Sequence, residues 1–385
     1  MKRKLYSELL DWKAKGAKKP LILIGACQVG KTYIIEEFLS REFPKHLTFN
    51  LFDRSDICAI FSEEIQTGEK IRRLELLHGE KIDFENTAIF FDEVQHSEDI
   101  IASLKYFADS KINYKIICAG SLLGVKINRF SKSFPVGKAE MLYMYPMDFE
   151  EYLWANGEHE LSAEIRRCFE KNKNMSEPLH EKCLYRYRLY LCAGGMPEAA
   201  ADLISKDNDV LRFNGRILSD IRMAYLADMT KYVTSKAESA KIEAVSAVNM
   251  PLKGYVRDGF FKIFLNDTGL LCNLLFIRLS EIMLDTDFYY KGIITENYAA
   301  SQLAAAGIPL FYWQGENTQD IDFLIDTEQG IVPVEVKSGK NKASASLEYF
   351  RENHNCAYAL KIRKGNFGFT NKIRNIPLYA VFCLK

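Results

Sequence analysis

The stretch Gly25-Ala26-Cys27-Gln28-Val29-Gly30-Lys31-Thr32 has the residue types and spacing to cradle a polyphosphate. Glycines at both ends of the turn let backbone N–H groups point inward at phosphate oxygens, and a helix starting at Lys31 adds the positive end of its dipole. Lys31 would reach the β- and γ-phosphates, and Thr32 would offer its hydroxyl to magnesium. Gly25, Gln28, Val29, Gly30, Lys31 and Thr32 are therefore the expected nucleotide-binding positions. The motif needs a strand before it and a helix after it. Leu21 to Ile24 form an apolar run suited to a buried parallel strand, and Ile34, Ile35 and Phe38 recur at helical spacing.

A second segment, "TAIFFDEVQH", selects among nucleotide chemistries. Ala88 to Phe91 read as another buried strand, with Asp92 and Glu93 at its carboxyl end, where open parallel sheets place ligands. Asp92 would hold the ATP magnesium through water, and Glu93 would act as general base on the attacking water. The competing reading is an acid pair that caps the next helix. A third run, "YKIICAGS", places Ser121 at a strand end, either to sense the γ-phosphate or simply to turn the chain. Paired acids favour an ATPase that carries its own catalytic glutamate. The guanine-reading Asn-Lys-x-Asp motif occurs nowhere in the chain.

Further acids lie near the far end. "DIDFLID" and "VPVEVKSGK" both alternate, with "TEQG" between them, which is a hairpin pattern turning at Glu328-Gln329. Pairing Thr327 with Gly330 and counting outward sets Asp322 opposite Glu335, and like charges so placed are destabilising. A cation is required between them. Lys337 is one candidate and a divalent metal is the other. Asp-x(12)-Glu-x-Lys on a hairpin resembles the restriction-endonuclease-like fold, in which two carboxylates hold magnesium and the lysine steadies a water at a phosphodiester. Glu296, on the helix-patterned "ITENYAASQLAAAG", matches that fold's additional acid, so Glu296, Asp322 and Glu335 form a candidate second metal site with Lys337. The alternative is a structural ion-pair cluster on an inactive fold.

These residues need substantial scaffolding, and 385 residues at 48% hydrophobic content suffice for two or three cores. The 51 basic and 51 acidic side chains cancel, so any nucleic-acid contact must come from a local patch rather than an overall positive field. Nine cysteines contain no C-x-x-C pair and six histidines stand far apart, which argues against a zinc site or disulfide framework. No apolar run approaches the roughly 20 residues needed to span a bilayer. Reduced thiols, a cytoplasmic location and no membrane partner are expected. The α/β organisation reads as a P-loop ATPase domain over 1–155, a helical connector over 156–255 and an endonuclease-like domain over 256–385. In the connector, Ile217, Ile221, Tyr225 and Met229 mark one helix stripe that reads as core.

"KPLILIGACQVGKTYIIEEF", "IFFDEVQ", "CAGSLLGV", "FPVGKAEMLYMYPMDFEEYL" and "AGGMPEA", in this order, resemble the prokaryotic AAA-type ATPases that carry a conserved C-terminal domain of unknown function. The resemblance covers most of the chain and implies ATP and Mg2+ as ligands. It also implies that Lys31, Thr32, Asp92 and Glu93 take the roles given above. Cys27 and Lys138 stand where relatives usually carry arginine, so an arginine finger is left unassigned. Relatives also carry a winged-helix-like module that is shortened here between "KIEAVSAVNMPLKGYVRDG" and "FFKIFLNDTGLL". DNA, a protein partner and self-association are the macromolecular contacts this reading leaves open.

Overall fold

The computed structural model describes residues 1–121, 135, 137–231, 239–315, 319–339 and 345–384, with backbone alone for 226–231 and 239–240. It divides into two compact units, one of residues 2–145 with 228–237 and the other of 146–227 with 238–385. Residues 156–227 and 238–255 of the stretch expected as a connector fall in the second unit.

The first unit has helix α1 (Leu5–Ala14), strand β1 (Leu21–Gly25), α2 (Lys31–Glu42), β2 (Lys45–Asn50), α3 (Ser55–Ser62) and α4 (Thr67–His78). It continues with β3 (Thr87–Asp92), α5 (Glu98–Ala108), β4 (Lys115–Gly120) and β5 (Glu140–Met144). The strands pair in parallel in the order β2-β3-β4-β1-β5. Every residue of β1 and β3 is buried, as a strand covered by helices on both faces requires. The edge strand β2 instead alternates. Helix α2 turns Ile34, Ile35, Phe38 and Leu39 into the core, the face its spacing predicts. The Ser97 hydroxyl accepts a hydrogen bond from the N–H of Ile100 and starts α5 directly after the acid pair.

The second unit begins with α6 (Phe149–Ala155), α7 (His159–Glu170), α8 (Glu177–Ala193), α9 (Pro197–Ser205) and α10 (Arg216–Lys231). Then come β6 (Ser239–Val245), β7 (Val256–Leu265), α11 (Thr268–Leu274), α12 (Leu279–Met283) and α13 (Lys291–Ala305). The unit closes with β8 (Phe311–Gln314), β9 (Asp320–Thr327), β10 (Gly330–Val336), α14 (Ala345–Asn353), β11 (Ala359–Arg363), β12 (Gly368–Thr370) and β13 (Ile373–Pro377). Eight strands make one mixed sheet in the order β12-β13-β11-β10-β9-β8-β6-β7. Tyr152, Tyr190 and Tyr298, from α6, α8 and α13, meet edge to face with centroids 5.4 and 5.8 Å apart, which knits the helices to the same core as the strands.

The last apolar run, "IPLYAVFCL", leaves the sheet after Pro377. Leu378–Cys383 form a 3-10 turn with every residue buried. An unbroken apolar run carries no alternation to distinguish a strand from a buried helical turn. On α10, Ile221 and Tyr225 are buried and Ile217 is half-buried, whereas the side chain of Met229 lies outside the described residues.

The Gly194-Gly195 turn has a packing reason that spacing did not reveal. The Asp267 carboxylate accepts from the N–H of Gly195 at 2.6 Å and of Leu270 at 2.8 Å. Met147 N–H donates to the Gly195 carbonyl at 2.7 Å. A Cβ at Gly195 would lie 2.1 Å from the Met147 carbonyl oxygen, so no side chain fits. Burial pushes the Asp267 carboxyl up to about 6, against the several backbone donors that favour its charged form.

Candidate functional site

The phosphate loop joins β1 to α2, and its shape follows from two left-handed residues, Gln28 (φ 62°) and Gly30 (φ 94°). Successive turns of this kind aim backbone N–H groups into one concavity. Gly25 is fixed by crowding, because a Cβ there would meet the Met144 carbonyl oxygen of neighbouring β5 at 2.4 Å.

Lys31 is buried, and its ammonium donates to the carbonyls of Gly25 (3.0 Å) and Ala26 (2.8 Å). Burial holds its pKa below the usual lysine value, while Cys27, Glu93 and Asp92 pull it back up. A polyphosphate would offer this ammonium better acceptors than two carbonyls. Thr32 Oγ1 donates to Asp92 Oδ2 at 2.7 Å, which joins the two expected motifs. The Asp92 carboxyl is raised by burial, opposed by Thr32 and by the N–H of Glu93 at 3.0 Å. Two adjacent oxygen donors, one a buried carboxylate that a cation would relieve, fit a hard divalent ion.

Glu93 also lies in the left-handed region (φ 52°, ψ 41°), and the 3-10 turn Val94–His96 follows it. Its carboxylate accepts from the Gln95 amide, and the same amide nitrogen lies 3.4 Å from Ser121 Oγ. Strand β4 runs between β1 and β3, so Ser121, just past its end, falls between the phosphate loop and the acid pair. Lys31, Thr32, Asp92, Glu93 and Ser121 therefore gather at the carboxyl ends of three adjacent strands.

Sequence reasoning missed Arg3. Its guanidinium is buried and donates to the Val29 carbonyl at 2.9 Å and to the Tyr145 carbonyl at 2.5 Å, bracing the loop against the chain beyond β5. Within "MKRKLY" nothing distinguishes Arg3 from its solvated basic neighbours. Lys138 instead pairs with Asp109 at 2.5 Å on the surface, with both side chains about half exposed.

In the second unit the hairpin has the counted register, from Gly330↔Thr327 to Val334↔Phe323. The paired ladder runs to Val334↔Phe323, one step short of Asp322 and Glu335, and beyond it Val336 N–H donates to Asp322 Oδ2 at 2.7 Å. Lys337 Nζ lies 2.8 Å from Glu335 Oε1, while the buried Glu335 Oε2 has no hydrogen-bond partner among the described residues. Glu296, expected as a third metal ligand, is instead paired at 2.9 Å with Lys262 of β7, a residue that sequence reasoning did not single out. Burial and the Glu296 charge push the Asp322 carboxyl up to about 6, against Val336 N–H, Lys262 and Lys337. Among the described residues, no group of three or more His, Cys, Asp or Glu side chains is set to hold a metal ion. Lys262 and Lys337 each place an ammonium beside one of these carboxylates.

Residues 17–153 match the model of an AAA domain, and residues 291–381 match that of a domain of unknown function, DUF4143. No curated protein matches the chain. Among solved structures, the Walker-type ATPase PABY2304 of Pyrococcus abyssi is 16% identical, over 60% of this chain and 75% of that one, with a TM-score of 0.36. Drosophila ORC bound to DNA is 12% identical, over 81% of this chain and 87% of that one, at 0.32. Cdc6p from Pyrobaculum aerophilum is 12% identical, over 73% and 93%, at 0.28. Among the described residues, no helix is long and apolar enough to cross a membrane.

Proposed function

We propose that this chain is an ATP-binding and ATP-hydrolysing AAA-type protein whose nucleotide cycle is coupled to its C-terminal unit. The observation that carries the ATPase reading is the junction of the two motifs at Thr32 and Asp92, with Glu93 beside them and β4 inserted between the strands that bear them. Gln28, Val29, Gly30 and Lys31 would bind the phosphates, and Thr32 and Asp92 would hold magnesium, which when bound neutralises charge on the phosphate oxygens. Glu93 would take a proton from the water whose oxygen attacks the γ-phosphorus as the bond to the bridging oxygen breaks. ADP would leave with that electron pair. Titration with ATP and measurement of phosphate release test the reading. It fails if the intact chain binds ATP no better than Lys31→Ala does.

For the C-terminal unit, a restriction-endonuclease-like role is supported by the hairpin register and by the buried Glu335 Oε2, which has no hydrogen-bond partner among the described residues. Asp322 and Glu335 could hold a divalent ion only once Lys337 releases Glu335. The second reading is a nucleotide-dependent switch or scaffold in which this unit is a non-catalytic interaction module. The pairing of Glu296 with Lys262 and of Glu335 with Lys337 favours it. The two readings differ in whether DNA stimulates hydrolysis and whether magnesium-dependent cutting of duplex, single-stranded or branched DNA is lost in Lys337→Ala. Absence of both effects would leave the switch.

A further inference from the structure

The Gln95 side chain is 5% exposed and Ser121 is 6% exposed, so both sit out of bulk water beside the proposed base. One primary amide carries two protons, and two acceptors surround it, Glu93 Oε2 and Ser121 Oγ at 3.4 Å. The contact to Glu93 depends on backbone geometry. The left-handed conformation of Glu93 and the 3-10 turn that follows fold Gln95 back onto the carboxylate two residues earlier. A non-glycine residue adopts that conformation at an energetic cost and keeps it only where its surroundings insist. Ser121 arrives from the end of β4, which pairs with β3, so the amide bridges the ends of two neighbouring strands.

We propose that Gln95 is a positioning residue that ties the general base Glu93 to the hydroxyl of Ser121 that reads the terminal phosphate. This rests on the ATPase reading above. Because Ser121 Oγ accepts from the amide, its own O–H proton would be left to donate to a γ-phosphate oxygen. A phosphate that draws Ser121 moves the amide, and the amide moves the Glu93 carboxylate in the same step. Base and phosphate are thereby registered before the water is attacked. The link ends with hydrolysis, when the terminal phosphate departs.

The test uses the full chain with two variants. Gln95→Met keeps the volume and removes both N–H donors, whereas Gln95→Glu keeps the length and replaces a donor with a negative charge. ATP affinity, kcat, KM and the pH dependence of kcat are measured, with thermal melts to establish folding. We expect kcat to fall at least about 10-fold in both variants while ATP affinity changes less than about 2-fold. In Gln95→Glu the acidic limb of the kcat profile moves to higher pH, since a like charge beside Glu93 disfavours its ionised form. A general packing role would move neither the limb nor the ratio of kcat to affinity effects. Folded variants that hydrolyse ATP within about 2-fold of the parent with the limb in place overturn the proposal, as does an affinity loss matching the kcat loss. A parent chain that neither binds nor hydrolyses ATP overturns the ATPase reading, and this proposal with it.

Discussion

Thr32 and Asp92 stand 60 residues apart in the chain and share a 2.7 Å hydrogen bond, which makes the phosphate loop and the acid pair one site. Asp92→Asn keeps the side chain's size and removes the charge that would face magnesium. Magnesium-dependent phosphate release should fall about 100-fold or more, the usual scale for losing a preorganised electrostatic contact. A rate within a few-fold of the parent at saturating magnesium would contradict the assignment.

Lys31 gives up two carbonyl acceptors on truncation and no apolar core contact is opened, so Lys31→Ala should fold normally. It should nevertheless lose at least about 30-fold in ATP affinity, because a charge-assisted bond to phosphate is worth roughly 2 kcal/mol or more. Isothermal titration decides the point, and retained tight binding would show that the loop does not hold phosphate.

Glu93→Gln removes the proposed base and leaves the loop intact. ATP affinity should stay within about 2-fold while turnover drops at least about 100-fold, the range for general-base catalysis. If turnover and affinity fell together, Glu93 would be serving the fold and not the chemistry.

Asp267→Ala would strip the buried backbone donors of Gly195 and Leu270 of their acceptor. The expected loss is about 2–5 kcal/mol, in the range for orphaned buried groups. A urea melt that follows the second unit measures it directly. A loss under about 0.5 kcal/mol would mean that water replaces the carboxylate.

Asp322 gives a pH signature. Its folded carboxyl titrates near 6, well above the ordinary value of about 4, so between these values the folded state binds the extra proton. Stability therefore decreases as pH rises from about 4 to about 6 and is level above that window. Asp322→Asn should flatten this part of the curve and gain on the order of 2 kcal/mol at pH 7 in the absence of divalent ions, with no gain at pH 4. Curves that stay parallel for variant and parent would remove Asp322 from the account.

The sequence was most informative where one local pattern carried both fold and chemistry. The loop from Gly25 to Thr32 was legible because a fully buried strand and a one-sided helix flank it, and the C-terminal hairpin because alternation fixes register across a two-residue turn. Residues whose partners lie far along the chain were not legible. Arg3 meets Tyr145, Lys262 meets Glu296 and Asp267 meets Gly195 only after folding, and no spacing encodes those encounters. Gln95 stood in plain view beside the acids, but its role depends on a left-handed Glu93 that its sequence neighbours do not predict.

The union of Gly195 with Asp267 also sets a timetable for synthesis. The two are 72 residues apart, so the turn after α8 leaves the ribosome well before its only described carboxylate cap is made. The first unit finishes its sheet by Met144 and needs nothing from this later crossing. A nascent chain paused short of Asp267 should carry a finished nucleotide fold ahead of a helical segment still waiting for its clasp.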